Sequence, residues 1–149
     1  MRWGPFMKVL VFVDGSEHSF YAVETAAKIA EEKHASVTLL AIALRYTDSE
    51  SAQSYDEKLE AESNIALMKA AELMREMGVS PKILLLRDVT LLNAKDEIVA
   101  IVKEGGFDLA VIGSQLLTGL KKLLFGGIDV ALIDAVPCSV LAVRTRLED

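Results

Sequence analysis

The chain has a single cysteine, Cys138, and two histidines, His18 and His34. One thiol excludes an intrachain disulfide framework, and Cys138 alone cannot assemble a zinc site. It lies between Pro137 and an apolar run, where a small core hydrophobe is the better reading than a reactive thiol. Both histidines sit in or just after the first helix on its charged side, where a solvated surface role is expected rather than a catalytic one. No apolar run approaches the ~18 residues of a spanning helix. The stretch from Met1 to Met7 is too short and too poor in apolar residues ahead of Lys8 for a signal peptide. It reads as an extension before a domain that begins near Met7. Basic clusters are also lacking: Lys121–Lys122 is the one adjacent basic pair, and the net charge is −6. Nucleic acid and anionic membrane surfaces both need grouped Lys and Arg, so neither is expected as a partner. The expected location is the cytoplasm.

Several enzyme signatures are missing as well. There is no Gly-x-x-x-x-Gly-Lys-Ser/Thr, no Gly-x-Gly-x-x-Gly and no His-Glu-x-x-His. A Gly-x-Ser-x-Gly elbow is absent too. No catalytic residue and no metal ligand is assigned.

What is present is an alternation of short apolar runs and amphipathic stretches. Lys8 to Val13, Val37 to Ala43, Lys82 to Leu86, Leu109 to Ile112 and Ser139 to Val143 read as strands, most of them apolar enough for burial on both faces. After the first strand, Asp14-Gly15-Ser16 breaks the run and Ser16 can cap a helix whose apolar stripe is Val23, Ala26, Ala27 and Ala30. A polar loop is expected from Arg45 to Ser54. Ser54-x-x-Glu57 then reads as a capping box for a long helix ending at Gly78, with Leu59, Ala66, Ala70, Leu73 and Met77 on its apolar side. Further helices are expected from Ala94 to Glu104 and from Ile128 to Ala135. Strict β/α alternation implies a doubly wound α/β fold, a parallel five-stranded sheet with helices on both faces. At 149 residues with 52% hydrophobic content, the chain is expected to form one domain over 1–149, its core about 7–144.

In such sheets ligands sit beyond the carboxyl ends of the strands, where Asp14 and Gly113 are expected. From Gly113 the chain enters a long loop that closes on Gly126 and Gly127 at a helix start. A glycine-bounded loop feeding a helix N-terminus is suited to phosphate, because free backbone N–H groups and the positive helix end point there. Leu116 inside the loop and Asp129 just after it point the other way.

The first strand and turn, Val9 to Ser19, the fourth strand Asp108 to Ser114, the loop Gly119 to Gly126 and the closing strand Val136 to Val143 together resemble the universal stress protein family over about Met7 to Arg144. The resemblance implies the strand order 3-2-1-4-5 of an adenine nucleotide alpha hydrolase-like fold, and a homodimer through the fifth strand, here Val140 to Val143. An edge strand of that kind needs cover or pairing. It also implies that some members bind ATP or another adenine nucleotide. The positions carried over for such binding are Val13, Asp14, Gly15, Ser16, Ile42, Gly113, Ser114, Gly126, Gly127 and Ile128. In binding members the aspartate at the Asp14 position holds the base or ribose region.

This chain keeps Gly113 and Gly126 but departs from the family's phosphate pattern at three places. Leu116 stands where the second glycine belongs and removes the close backbone approach a glycine allows. Gly127 replaces a hydroxyl donor, and Asp129 adds a carboxylate beside the phosphate position. Lys121 and Lys122 read as solvated loop charges. Asp14 has two readings of similar weight, nucleotide contact and the shaping of its own turn. The expected function is therefore a cytoplasmic dimer acting in stress response through unknown protein partners or a small ligand, with ATP binding weak or lost. The alternative is a working ATP/AMP-binding switch of the same family. An enzyme, for instance a slow ATP hydrolase, ranks last, because no general base or metal-ligand set accompanies Asp14.

Overall fold

The computed structural model of the chain describes residues 7–45, 50–90, 92–113 and 134–144. Lys8–Phe12 forms β1, Glu17–Lys33 α1, Ser36–Leu44 β2, Glu50–Glu76 α2, Lys82–Val89 β3, Ala94–Gly105 α3, Leu109–Gly113 β4 and Ser139–Val143 β5. The strands make one sheet in the order β3-β2-β1-β4-β5. All four pairings are parallel, with Val9 opposite both Val37 and Leu109, and Gly113 opposite Val143. This is the order expected, and it follows from β/α units that wind first one way from β1 and then the other.

The apolar runs bury both faces of the central strands because side chains alternate across the sheet. Val9, Val11 and Val13, with Val37, Leu39 and Ala41 of β2 and Val111 of β4, meet α1 and α2. Leu10, Phe12, Leu40, Leu44, Ala110 and Ile112 meet Ala94, Ile98 and Val102 of α3 on the opposite face. Burying a Val, Leu, Ile or Phe side chain fully contributes about 1.5–3 kcal/mol, so these two layers dominate the fold's stability.

Helix α1 begins as its sequence indicates. Ser16 is extended, at φ −78° and ψ 160°, and its hydroxyl accepts the N–H of Ser19. The expected stripe of Val23, Ala26, Ala27 and Ala30 is buried, and the small side chains let the helix lie close to the sheet. The helix ends at His34, in the left-handed region at φ 55°. Both histidines thus lie at the ends of α1, with His34 exposed and His18 half-buried in its first turn.

Helix α2 differs from expectation. It starts at Glu50, so Ser54 and Glu57 lie inside it rather than forming its entry. Glu50, Ala52 and Gln53 are good helix formers, and no Gly or Pro stops the helix from extending back through them. Of the polar loop expected over Arg45 to Ser54, residues 50–54 are therefore helical, and 46–49 lie outside the described residues. The buried side of α2 is centred on Ala66, Leu67, Ala70, Ala71 and Met74, while Leu73 and Met77 pack at its margin. Strand β3 also runs further than expected, to Val89, because the ladder resumes after an irregularity between Ile42 and Leu44. Arg45 N–H then donates to the Val89 carbonyl at 2.8 Å. Of the last expected helix, Asp134 and Ala135 are helical and the rest lies outside the described residues.

At the amino ends of the strands, Lys8 and Asp108 join β1 to β4. The Lys8 N–H donates to the Asp108 carboxylate at 2.8 Å, and the Asp108 N–H donates to the Lys8 carbonyl at 2.8 Å. The Lys8 ammonium donates to the Gly105 carbonyl at the end of α3 and lies 5.2 Å from the Phe107 ring centre. A cation there is favoured by both the helix dipole and the ring face. This clamp sits at the opposite end of the sheet from the carboxyl ends of the strands.

Candidate functional site

At the carboxyl end of β1 the chain makes a tight turn through Asp14, Gly15 and Ser16. One oxygen of the Asp14 carboxylate, Oδ1, accepts the Ser16 N–H at 2.9 Å and also the Ser16 hydroxyl. The Ser19 hydroxyl donates to the Ser16 carbonyl at 3.0 Å, and Ser19 is the buried polar side chain of this turn. Asp14 therefore builds an aspartate turn that leads directly into the capped start of α1. Gly15 has φ +82°, a conformation costly for any residue with a Cβ. A Cβ there would also come within 3.4 Å of Ala66 on α2, so the turn and that helix are in close contact.

Gly113, at the end of β4, has a different reason to be glycine. A Cβ on it would lie 2.8 Å from the backbone carbon and oxygen of His18 and 2.9 Å from the His18 Cβ. The space a side chain would need is taken by the first turn of α1.

The remaining candidates separate. Val13 is buried among the side chains under α1 and α2, and its N–H donates to the Leu40 carbonyl at 2.8 Å. Ile42 packs with the cluster on the α3 face. The side chains of Val13 and Ile42 thus lie on opposite faces of the sheet. Ser114, Gly126, Gly127 and Ile128 lie outside the described residues, as do Leu116, Lys121, Lys122 and Asp129. Of the positions carried over for nucleotide binding, the described ones form a turn at Asp14–Ser16 and a close helix contact at Gly113.

Beside the turn the structure holds a cleft of about 270 Å³, formed by Asp14 and Gly15, Phe20 of α1, and Glu62, Ile65, Ala66 and Lys69 of α2. Phe20, Glu62, Ile65 and Lys69 were not among the residues singled out from sequence. The available signal was Ile65 on the polar side of α2, where it is 56% exposed.

Cys138 is half-buried, and burial pushes its thiol above the ordinary value, opposed by a backbone hydrogen bond involving Ala110 and assisted by the nearby Asp108 charge. That favours the neutral thiol. Among the described residues no three His, Cys, Asp or Glu side chains are grouped to hold a metal ion, and no helix is long and apolar enough to cross a membrane.

The sequence profile of the universal stress protein family matches residues 5–144. The universal stress protein YxiE of Bacillus subtilis (strain 168) is 26% identical over 151 residues, covering 93% of this chain and 99% of its own. Among solved structures, the universal stress protein UspA from Lactobacillus plantarum superposes with a TM-score of 0.74 at 21% identity, over 93% of this chain and 97% of that one. The universal stress protein of Archaeoglobus fulgidus in complex with dAMP has a TM-score of 0.65 at 20% identity, over 92% and 97% of the two chains. With the sheet order, the opening turn and a profile match over nearly its whole length in agreement, the chain belongs to the universal stress protein family.

Proposed function

We propose that this protein is a single-domain, cytoplasmic stress-response protein that works as a homodimer through binding of a protein partner or small ligand, with ATP binding weak or lost. The observation that carries this reading is the double commitment at the carboxyl ends of β1 and β4. The Asp14 carboxylate uses one oxygen to hold its own turn, and the space at Gly113 is taken up by the His18 backbone. Both residues thus have structural work that needs no nucleotide. The three departures at Leu116, Gly127 and Asp129 weaken phosphate contact further.

The two sheet edges support pairing through β5. On β3 the exposed side chains are Lys82, Ile83, Leu84, Arg87 and Asp88, three of them charged, the ladder to β2 is irregular, and Asp88 has φ +57°. Charge and irregularity of this kind discourage strand addition. Strand β5, Ser139–Val143, carries no charge and is in unbroken register with β4 over five residues.

A second reading, an AMP- or ATP-binding switch, is favoured by the family relative solved with dAMP. Enzyme activity has no comparable support. Calorimetric titration with ATP, ADP and AMP, with and without magnesium, separates the two readings. Micromolar ATP affinity in the unaltered protein would overturn the first.

A further inference from the structure

We propose that the cleft between the Asp14–Gly15 turn, α1 and α2 is a binding site for a small zwitterion with an apolar body, an α-amino acid such as phenylalanine or leucine. The cleft shares Asp14 and Gly15 with the positions carried over for nucleotide binding, so the test sets AMP beside the amino acids to tell the two ligands apart.

The charges define the ligand. Asp14 and Glu62 contribute two carboxylates and Lys69 one ammonium. Asp14 Oδ1 is used in the turn, while Oδ2 accepts no hydrogen bond from the described residues. Among the described residues neither Glu62 nor Lys69 forms an ion pair. Glu62 and Lys69 are seven residues apart on α2, hence on one face and about 10.5 Å apart along the axis. Ala66, which the Gly15 turn abuts, lies between them, so the turn meets α2 between the two charges. A ligand ammonium is matched by Asp14 and Glu62, and a ligand carboxylate by Lys69. A phosphate dianion is disfavoured, because it would face two carboxylates for one ammonium.

The walls and the volume define its body. Phe20, Ile65 and Ala66 offer an aromatic and aliphatic surface. Ile65 is 56% exposed on α2, an apolar surface that helix formation does not require. The volume of about 270 Å³ is just below the range of organic ligand sites, roughly 300–1,000 Å³, and suits an amino acid better than a nucleoside triphosphate.

The test titrates the full chain with L-phenylalanine and L-leucine by calorimetry, beside four controls. Phenethylamine lacks the carboxylate, hydrocinnamate lacks the ammonium, glycine lacks the apolar body, and AMP carries the phosphate. Each charge-assisted contact is expected to change affinity by about tenfold, and burial of the apolar body by at least as much, so phenylalanine should bind at least that much more tightly than glycine, hydrocinnamate or AMP. Glu62→Gln should weaken phenylalanine and phenethylamine alike. Lys69→Met should weaken phenylalanine and leave phenethylamine unchanged. Both replacements are helix formers at exposed positions, and an unaltered circular dichroism spectrum confirms the fold. Absence of saturable phenylalanine and leucine binding overturns the proposal. So does equal binding of hydrocinnamate or glycine, insensitivity to both variants, or AMP binding that Glu62→Gln strengthens.

Discussion

The end of β4 rests on the first turn of α1 through Gly113 and His18, so closely that a Cβ on Gly113 would lie 2.8 Å from the His18 carbonyl group. That contact ties β4 to the helix that follows its neighbour β1. Gly113→Ala must therefore move backbone rather than a side-chain tip. The expected cost is about 1–3 kcal/mol, the range for overpacking a tight site. Urea unfolding of the variant should show a lower midpoint at unchanged slope. An unchanged midpoint would mean that the turn yields freely.

Asp14 is predicted to act as an acceptor first and a charge second. Asp14→Asn keeps an oxygen for the Ser16 N–H and hydroxyl, whereas Asp14→Ala leaves both donors without it. The alanine variant should lose about 1 kcal/mol, in the range of a lost cap or turn bond, and the asparagine variant clearly less. Equal losses would show that the charge matters more than the geometry.

The thiol of Cys138 gives a pH signature. Its value in the folded chain is raised, chiefly by burial, so the folded state holds the proton more tightly than the unfolded state. The contribution to stability is fully present below the unfolded value, about 8.5, and is lost as pH rises through the folded value. Unfolding free energy should thus fall more steeply above about pH 8.5 in the wild type than in Cys138→Ala. Parallel pH profiles for the two proteins would refute this.

Dimerisation through β5 is checked at Ala142, whose side chain is exposed in the single chain. Ala142→Glu should leave the fold intact and place like charges near each other across a paired edge. Sedimentation at several concentrations should show a shift toward monomer for this variant and none for Ile83→Glu on the β3 edge. A wild-type protein that stays monomeric at high micromolar concentration would remove the interface.

Much of the fold was legible in the residues. Val9 to Val13, Val37 to Ala43 and Leu109 to Ile112 carry the almost wholly apolar character that strands covered on both faces require, and the structure places them in the three inner strands of the sheet. Ser16 announced the start of α1 because its hydroxyl has one useful role there, as acceptor for the Ser19 N–H. The start of α2 at Glu50 is not legible in the residues, since a Ser and a Glu three residues apart look the same at a helix entry and inside a helix. The candidate site was legible only at Asp14, Gly15 and Ser16, whose turn is local in sequence.

Local preferences and alternating burial thus determined the strands, most helix boundaries and the order of units, because each depends on near neighbours and on which faces must leave water. Tertiary structure alone decided what the glycines and charges face. Nothing in the sequence around Gly113 distinguishes space kept for a phosphate from space kept for the backbone of His18, nearly a hundred residues earlier. Nor does it reveal that Glu62 and Lys69 border the same cleft as Asp14 and Phe20, since that depends on how α1 and α2 settle against the same face of the sheet.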